Sequence, residues 1–255
     1  MKESFIKVPE IIYEDKHILA VNKPPGLVVQ GGSDKNSLLK ICKDYIKIRD
    51  KKPGNVFLGV VHRLDKPVSG VVIFAKRSKS AARIFKSFQA GLVDKIYLAV
   101  VEGSFGGEFL WRNYIKWNEN KKRAEVFNEH IKNSKEAYTY AMVIKKQDNR
   151  TWLLLYPFTG RKHQLRVVLS HIGHPIIGDI KYGSKIMILK GKAILLHSFY
   201  LAFPHPISKE KIELIASPPE YFSSFYLDKS LILEFLNKIK LLKESDIRCV
   251  KQKSG

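Results

Sequence analysis

A single carboxylate inside an apolar stretch is the feature that most constrains this chain. Asp65 lies within residues 59–70 (GVVHRLDKPVSG), which lead directly into the apolar residues 71–75. The apolar residues predict a buried β-strand. An ionised carboxylate beside such a strand is costly unless it is paired, so Asp65 is a candidate for a chemical role. The alternative is a turn or capping role, because Asp bonds nearby backbone amides well before Pro and Gly.

The charge of the chain points to a polyanionic partner. Lys and Arg number 45 against 24 Asp and Glu, which gives a formal net charge of +21 over 255 residues. An enzyme for small metabolites does not need this excess. Nucleic acid is the usual partner of such a chain, and an anionic membrane surface is the second option. If the basic residues are spread evenly, they form only a solvated surface.

Cysteine usage favours a reducing compartment, and hydropathy gives no sign of a signal peptide or a membrane span. Cys42 and Cys249 lie far apart, in no spacing typical of a zinc site or a disulfide framework. Residues 1–10 carry charges and lack the apolar segment of a signal peptide. No apolar run approaches the length that crosses a bilayer. We therefore expect a cytoplasmic protein without a metal site and without a membrane as its partner.

Short β-prone runs and amphipathic helical patterns predict an α+β fold. The predicted strands cover residues 11–15, 18–22, 71–75, 95–101, 137–144, 151–156, 193–203 and 211–216, and the predicted helices begin at Ser37, at Ser78 as an N-cap, after Gly160 and near Ser230. No linker or repeat divides the chain, so we predict one domain over residues 1–255 with its core at about 10–245. Its architecture is a mixed, mainly antiparallel central sheet with flanking helices and loops around a cleft.

Residues 103–135 differ in character from the rest of the chain. Basic and aromatic residues interleave there, and the segment is predicted to be an exposed basic excursion that forms one hairpin. Its members are Trp111, Arg112, Tyr114, Lys116, Trp117, Lys121, Lys122 and Arg123. Such side chains stack on bases and neutralise phosphates, which makes Lys121, Lys122 and Arg123 candidate RNA contacts. The alternative is a surface hairpin whose tryptophans reach back to the core.

Further motifs accompany the Asp65 stretch, in a fixed order along the chain. They are residues 22–26 (NKPPG), 95–99 (KIYLA), 159–167 (TGRKHQLRV) with 172–179 (IGHPIIGD) and 182–183 (YG), and 195–198 (LLHS). Together with the Asp65 stretch, they make the chain resemble the RluA-like family of RNA pseudouridine synthases from about residue 11 to residue 216. An ordered series of motifs is far more specific than any one of them.

The resemblance implies isomerisation of uridine to pseudouridine in structured RNA, without a metal or an organic cofactor. By the family pattern, the catalytic aspartate is Asp65, the active-site tyrosine is Tyr97 and its arginine partner is Arg166. Arg63 is expected to fill the space that a flipped uridine leaves. Lys23 and Arg161 are candidate RNA backbone contacts or pocket walls.

The residue types suit this chemistry. Breaking the C1′–N1 bond develops positive charge on the sugar, which one carboxylate can stabilise or trap, and a covered pocket excludes water. Arg166 is expected to pair with Asp65 and to keep it ionised. The residues do not decide whether the carboxylate attacks C1′, adds to C6 of the base or abstracts a sugar proton.

Some positions depart from the family pattern, and two other functions stay open. Val68, Lys162 and Val168 replace common Thr, Thr and His residues, which affects RNA contacts or packing more than the central roles. No N-terminal S4 domain is expected, so the catalytic domain itself must hold the RNA, as a monomer. Ribosomal RNA is preferred over transfer RNA as the substrate. A non-catalytic RNA-binding protein on the same fold and a nucleoside or glycoside hydrolase are the alternatives.

Overall fold

The computed structural model describes residues 8–31, 37–222 and 229–245, and they form two compact units. Residues 8–95 and 197–219 belong to unit 1, and residues 96–196 and 220–245 belong to unit 2. The strands are β1 (Ile11–Glu14), β2 (Ile18–Lys23), β3 (Gly59–Val60), β4 (Ser69–Ala75), β5 (Asp94–Glu102), β6 (Glu108–Asn118), β7 (Arg123–Phe127), β8 (Lys135–Gln147), β9 (Arg150–Pro157), β10 (Leu196–Pro204) and β11 (Lys211–Ile215). The helices are α1 (Leu38–Arg49), α2 (Ser78–Gln89), α3 (Gln164–His171) and α4 (Lys229–Glu244).

The α+β class with mainly antiparallel strands is confirmed. The antiparallel pairs include β1–β2, β2–β4, β5–β9, β8–β9, β6–β8 and β10–β11, whereas β4 and β10 run parallel. The single domain over residues 1–255 stays a prediction. Among the described residues, no helix has both the length and the apolarity required to span a membrane.

In unit 1, β4 is the central strand and is fully buried. One of its edges pairs with β2, from Gly70 to Ala75. Its other edge is shared, because β10 pairs with Ser69 and Gly70 while β3 pairs with Phe74 and Ala75. Apolar side chains from β2, β4, α2 and β10 form one core cluster. The end of β4 that follows Asp65 is thereby fixed by strands on both sides.

In unit 2, the strands follow the order β5-β9-β8-β6-β7. Residues 103–135 contain the predicted hairpin, formed by β6 and β7. The hairpin is also part of the sheet, because β6 pairs with β8 from Glu108 to Ile115. Trp111 and Trp117 pack against a cluster that includes Val168 of α3. The tryptophans therefore reach the core, whereas Lys121, Lys122 and Arg123 at the turn are exposed.

Helix ends follow from local chemistry, with one correction. The helix predicted to begin at Ser37 is α1, and Ser37 caps it, since its hydroxyl accepts a hydrogen bond from the Lys40 amide at 3.3 Å. Ser78 is not the cap of α2. The extended residue before the helix is Arg77, and Ser78 is the first helical residue. Gly173 follows α3 with φ at +85°, a conformation that only glycine adopts at low cost.

Candidate active site

Asp65 lies half-buried on a turn directly before β4. The Val68 amide donates to the Asp65 carbonyl oxygen at 3.1 Å, which closes the turn. The Gly26 amide donates to the carbonyl oxygen of Lys66 at 2.8 Å. The NKPPG motif and the Asp65 stretch, separated in sequence, are therefore in direct contact in unit 1.

Lys23 braces this turn, which means that its side chain fixes the turn by a hydrogen bond to the Lys66 carbonyl oxygen. Its side chain is fully buried, and its Nζ donates to the carbonyl oxygens of Pro24 at 3.0 Å, Leu27 at 2.7 Å and Lys66 at 3.2 Å. Burial lowers the pKa of Lys23 to about 7, and the nearby charge of Asp65 opposes this shift. Of the two roles predicted for Lys23, contact with the RNA backbone does not fit this placement, because the side chain has no exposed surface and its ammonium donates within the protein. The role as a pocket wall stays a prediction.

The strand after Asp65 approaches β10 very closely. A Cβ atom at Gly70 would lie 2.7 Å from the carbonyl carbon of Ser198, and Gly70 has φ at +116°. Beside this contact, Ser69 Oγ lies 2.8 Å from Nδ1 of His197, and Nε2 of His197 lies 2.9 Å from the carbonyl oxygen of Ala216. A carbonyl only accepts, so Nε2 carries the proton and Ser69 donates to Nδ1. Burial lowers the pKa of His197 to about 4, which keeps the ring neutral.

His62 completes the hydrogen bonding of β4. The Ile73 amide lies between the residues that pair with β10 and those that pair with β3, and it donates to Nε2 of His62 at 2.9 Å. The His62 ring also stacks on Phe88, with 5.3 Å between centroids. Burial lowers the pKa of His62 to about 3, with Lys95 adding to the shift, so the ring stays a neutral acceptor. His62 is therefore a structural part of the Asp65 motif.

Tyr97 lies on β5 of unit 2. Its neighbours Ile96 and Leu98 are fully buried, whereas Tyr97 is half-buried. Successive side chains alternate between the faces of a strand, so Tyr97 is on the opposite face from these two. Tyr97 pairs with Leu155 of the buried strand β9, which fixes its backbone.

Arg166 is buried on α3 and is held by a carboxylate that sequence reasoning did not single out. Its Nε lies 2.7 Å from Oδ2 of Asp179, and its Nη2 lies 2.8 Å from Oδ1. This two-pronged contact fixes the plane of the guanidinium. The predicted pairing of Arg166 with Asp65 would join the two units, and it stays a prediction.

Aromatic residues complete the surroundings of Arg166. Its guanidinium carbon lies 5.0 Å from the centroid of the Tyr182 ring. The Tyr182 hydroxyl accepts from the Ala124 amide at 2.8 Å and lies 2.8 Å from Nδ1 of His163. Asp179 and Tyr182 both belong to the motif that follows TGRKHQLRV, so position in a motif was the available signal. Spacing alone does not reveal which carboxylate holds the arginine.

The other predicted RNA contacts lie at the surface to different degrees. Arg63 is exposed, and Arg161 is half-buried with its Nε donating to the carbonyl oxygen of Glu136 at 2.8 Å. Lys121 and Lys122 form exposed ion pairs with Glu125 and Glu119. Exposed pairs of this kind contribute about 0–1 kcal/mol, so a phosphate can replace the carboxylate as the partner of either lysine.

Comparison with known proteins assigns the family. The family model described as RNA pseudouridylate synthase matches residues 17–171, which include Asp65, Tyr97 and Arg166. The chain belongs to the RNA pseudouridylate synthase family. It is therefore an RNA pseudouridine synthase, an isomerase, and the non-catalytic alternative is not favoured.

Relatives of this synthase agree with the assignment, and solved structures share its fold. The ribosomal large subunit pseudouridine synthase C of Buchnera aphidicola subsp. Schizaphis graminum is 35% identical over 227 residues, covering 84% of this chain and 69% of that protein. The protein of the same name from Rickettsia felis is 33% identical over 222 residues, covering 86% of this chain and 70% of that protein. Human RNA pseudouridylate synthase domain containing 1 has the same fold, with a TM-score of 0.71 at 24% identity over 100% of both chains. Human RNA pseudouridylate synthase domain containing 4 has a TM-score of 0.69 at 24% identity, and the match covers 84% of this chain and 90% of that chain.

Proposed function

We propose that this synthase isomerises uridines of large-subunit ribosomal RNA and that Asp65 is its catalytic carboxylate. The observation that carries the residue assignment is the braced turn, in which Lys23 and Gly26 both donate to the carbonyl oxygen of Lys66, next to Asp65. A carboxylate that acts on one sugar–base bond must be held in a fixed place, and this turn meets that need. The choice of RNA is supported by the names of the relatives from Buchnera and Rickettsia.

The reaction breaks the C1′–N1 bond of uridine and forms a C1′–C5 bond. N1 takes up a proton, C5 loses one, and no water is consumed. Asp65 serves by attack on C1′, by addition to C6 of the base or by removal of a sugar proton, and each route uses the ionised carboxylate. Tyr97 stacks on the freed uracil, and its hydroxyl assists the loss of the C5 proton.

Arginines complete the proposed site. Arg166, with its guanidinium plane fixed by Asp179, supports the charged form of Asp65. Arg63, which is exposed, enters the stack in place of the flipped uridine. Lys121, Lys122 and Arg123 neutralise phosphates at the turn of the β6–β7 hairpin. The protein is proposed to act as a monomer in the cytoplasm.

The assignment of Asp65 is tested by release of tritium from RNA that carries C5-labelled uridine. Asp65→Asn is expected to release none, while its RNA affinity stays within about two-fold of the unchanged protein. The matched control is Asp148→Asn at an exposed turn, which is expected to retain full activity. Isomerisation by Asp65→Asn would overturn the assignment, and free uracil as the product would indicate a hydrolase.

Tyr97→Phe separates stacking from proton transfer. This variant keeps the ring, so RNA binding is expected to persist while tritium release slows by at least about tenfold. Full activity would remove the proposed role of the hydroxyl. The substrate is tested separately, by mapping pseudouridines in ribosomal and transfer RNA from cells with and without the protein. Loss of sites in transfer RNA alone would contradict the proposed substrate.

A further inference from the structure

Unit 2 contains a basic cleft of about 680 Å³ beside the β6–β7 hairpin. We call it the Trp117 cleft, and its principal residues are Lys116, Trp117, Asn133, Lys135, Arg161 and Lys162. Its volume is within the range of pockets that hold small ligands, so it is too large for a single phosphate. The loop before α3 supplies one wall, and the hairpin supplies the other.

The acidic side chains of the Trp117 cleft are held by partners within the protein. Glu125 accepts from Lys121 at 3.0 Å and from Asn118 at 3.1 Å. The hydrogen bond from Trp117 lowers the pKa of Glu119, and so does the contact with Lys122. In the part of the chain that the structure describes, Lys116, Lys135, Arg161 and Lys162 form no salt bridge. The cleft therefore presents a net positive charge to an incoming anion.

Trp117 gives the cleft an aromatic surface that the exposed side chain of Lys162 covers. The Lys162 ammonium lies 3.2 Å from the centroid of the indole ring, and Lys181 lies 5.7 Å from it. A cation over a partly exposed ring gains about 0.5–2 kcal/mol. A nucleic acid base on the same ring gains about 1–3 kcal/mol, and the lysine that it displaces can pair with a phosphate.

The Trp117 cleft is also joined to the surroundings of Arg166. Trp117 contacts His163 edge-on, with 5.3 Å between ring centroids. His163 in turn lies within hydrogen-bonding distance of the Tyr182 hydroxyl, and the Tyr182 ring packs under the Arg166 guanidinium. Trp117, which lines the cleft, is thus connected through His163 and Tyr182 to a proposed catalytic residue. This continuity favours the RNA substrate as the occupant.

We propose that the Trp117 cleft binds one unstacked nucleotide of the RNA substrate, other than the uridine that reacts. The base stacks on Trp117 in the place of the Lys162 ammonium, and Lys162 moves to the phosphate together with Arg161, Lys116 and Lys135. Asparagine side chains at the cleft, including Asn133, face the edge of the base. This proposal rests on the proposed function, because it takes RNA as the substrate.

The test is a fluorescence titration of the full chain with a short single-stranded oligoadenylate. This probe has no uridine and cannot be isomerised, so binding is read without catalysis. The oligomer is expected to quench tryptophan emission, and Trp117→Leu is expected to lose this quenching. Filter binding of the same oligomer is expected to show roughly 5- to 100-fold weaker binding by this variant. Trp111→Leu is the matched control on the same face of β6, outside the cleft, and is expected to leave affinity unchanged.

The proposed phosphate contacts of the loop before α3 are tested by Arg161→Gln combined with Lys162→Gln, which leaves Trp117 in place. The slope of log affinity against log salt is expected to become shallower by about 1.4, the value for two lost phosphate contacts on a single strand. Lys79→Gln combined with Lys86→Gln, at exposed positions of α2, is expected to leave the slope unchanged. An unchanged slope in the cleft variant, or unchanged quenching in Trp117→Leu, would overturn the proposal. Activity of Asp65→Asn would refute the catalytic assignment alone and leave the oligoadenylate result standing.

Discussion

The ammonium of Lys23 donates a hydrogen bond to the carbonyl oxygen of Lys66, 3.2 Å away, on the residue that follows Asp65. Two further carbonyl oxygens, of Pro24 and Leu27, accept from the same ammonium. A buried cation is costly, and the three acceptors compensate part of that cost. The protein therefore keeps a lysine, whose pKa burial lowers to about 7, in its interior at the point where the proposed catalytic turn needs to be rigid.

Replacement of Lys23 by methionine is expected to slow isomerisation by at least about tenfold, because the Asp65 turn loses its brace. RNA affinity is expected to stay within about two-fold, since Lys23 has no exposed surface. Single-turnover tritium release and filter binding measure the two quantities. The matched control is Lys66→Met, which removes an exposed side chain and keeps the braced carbonyl. A loss of affinity at an unchanged rate would restore Lys23 as an RNA contact.

Gly70→Ala is expected to destabilise the protein by at least about 3 kcal/mol. The added Cβ meets the backbone of Ser198, and the positive φ adds strain of about 1–3 kcal/mol. Thermal unfolding measures the effect. Gly54→Ala is the control, because nothing lies within 4 Å of its Cβ position. Equal melting temperatures for the two variants would show that β4 and β10 separate without cost.

Sequence reasoning located the strands, the helices and the motifs well, because hydrophobic periodicity and turn residues act locally. It did not find which side chains meet across long separations. Ser69 and His197 are 128 positions apart, and nothing in either motif specifies their hydrogen bond. The burial of Lys23 was not found for a related reason, since the NKPPG motif left open whether this lysine contacts the RNA backbone or forms a pocket wall. Asp179 was not singled out as a partner of Arg166, because spacing alone does not show which carboxylate holds an arginine.

Asp179→Asn is expected to destabilise the protein by about 3–5 kcal/mol, because it removes the carboxylate that makes the buried two-pronged contact with the Arg166 guanidinium. Tritium release is expected to fall as the guanidinium loses its fixed plane. Thermal unfolding and single-turnover rates measure the two effects. The control is Glu136→Gln, which breaks the exposed pair with Arg112 and is expected to cost at most about 1 kcal/mol. Equal costs for the two variants would contradict the assignment of the Arg166–Asp179 pair as a buried structural contact.

His197 predicts how stability depends on pH. Its pKa is about 4 in the folded protein and about 6.5 in the unfolded chain, so the unfolded chain binds more protons between these values. The free energy of unfolding contributed by His197 is therefore fully present above about pH 6.5 and is lost as pH falls towards 4. The difference between these two pKa values corresponds to about 3 kcal/mol of unfolding free energy.

His197→Gln keeps a donor and an acceptor but does not titrate in this range. Between pH 7 and pH 4, the unchanged protein is expected to lose about 3 kcal/mol more stability than this variant. Urea unfolding at a series of pH values gives both curves. His130→Gln, at an exposed position, is the control and is expected to follow the unchanged protein. Parallel curves for His197→Gln and the unchanged protein would mean that the His197 ring accepts a proton without breaking its bond to Ser69 or Ala216.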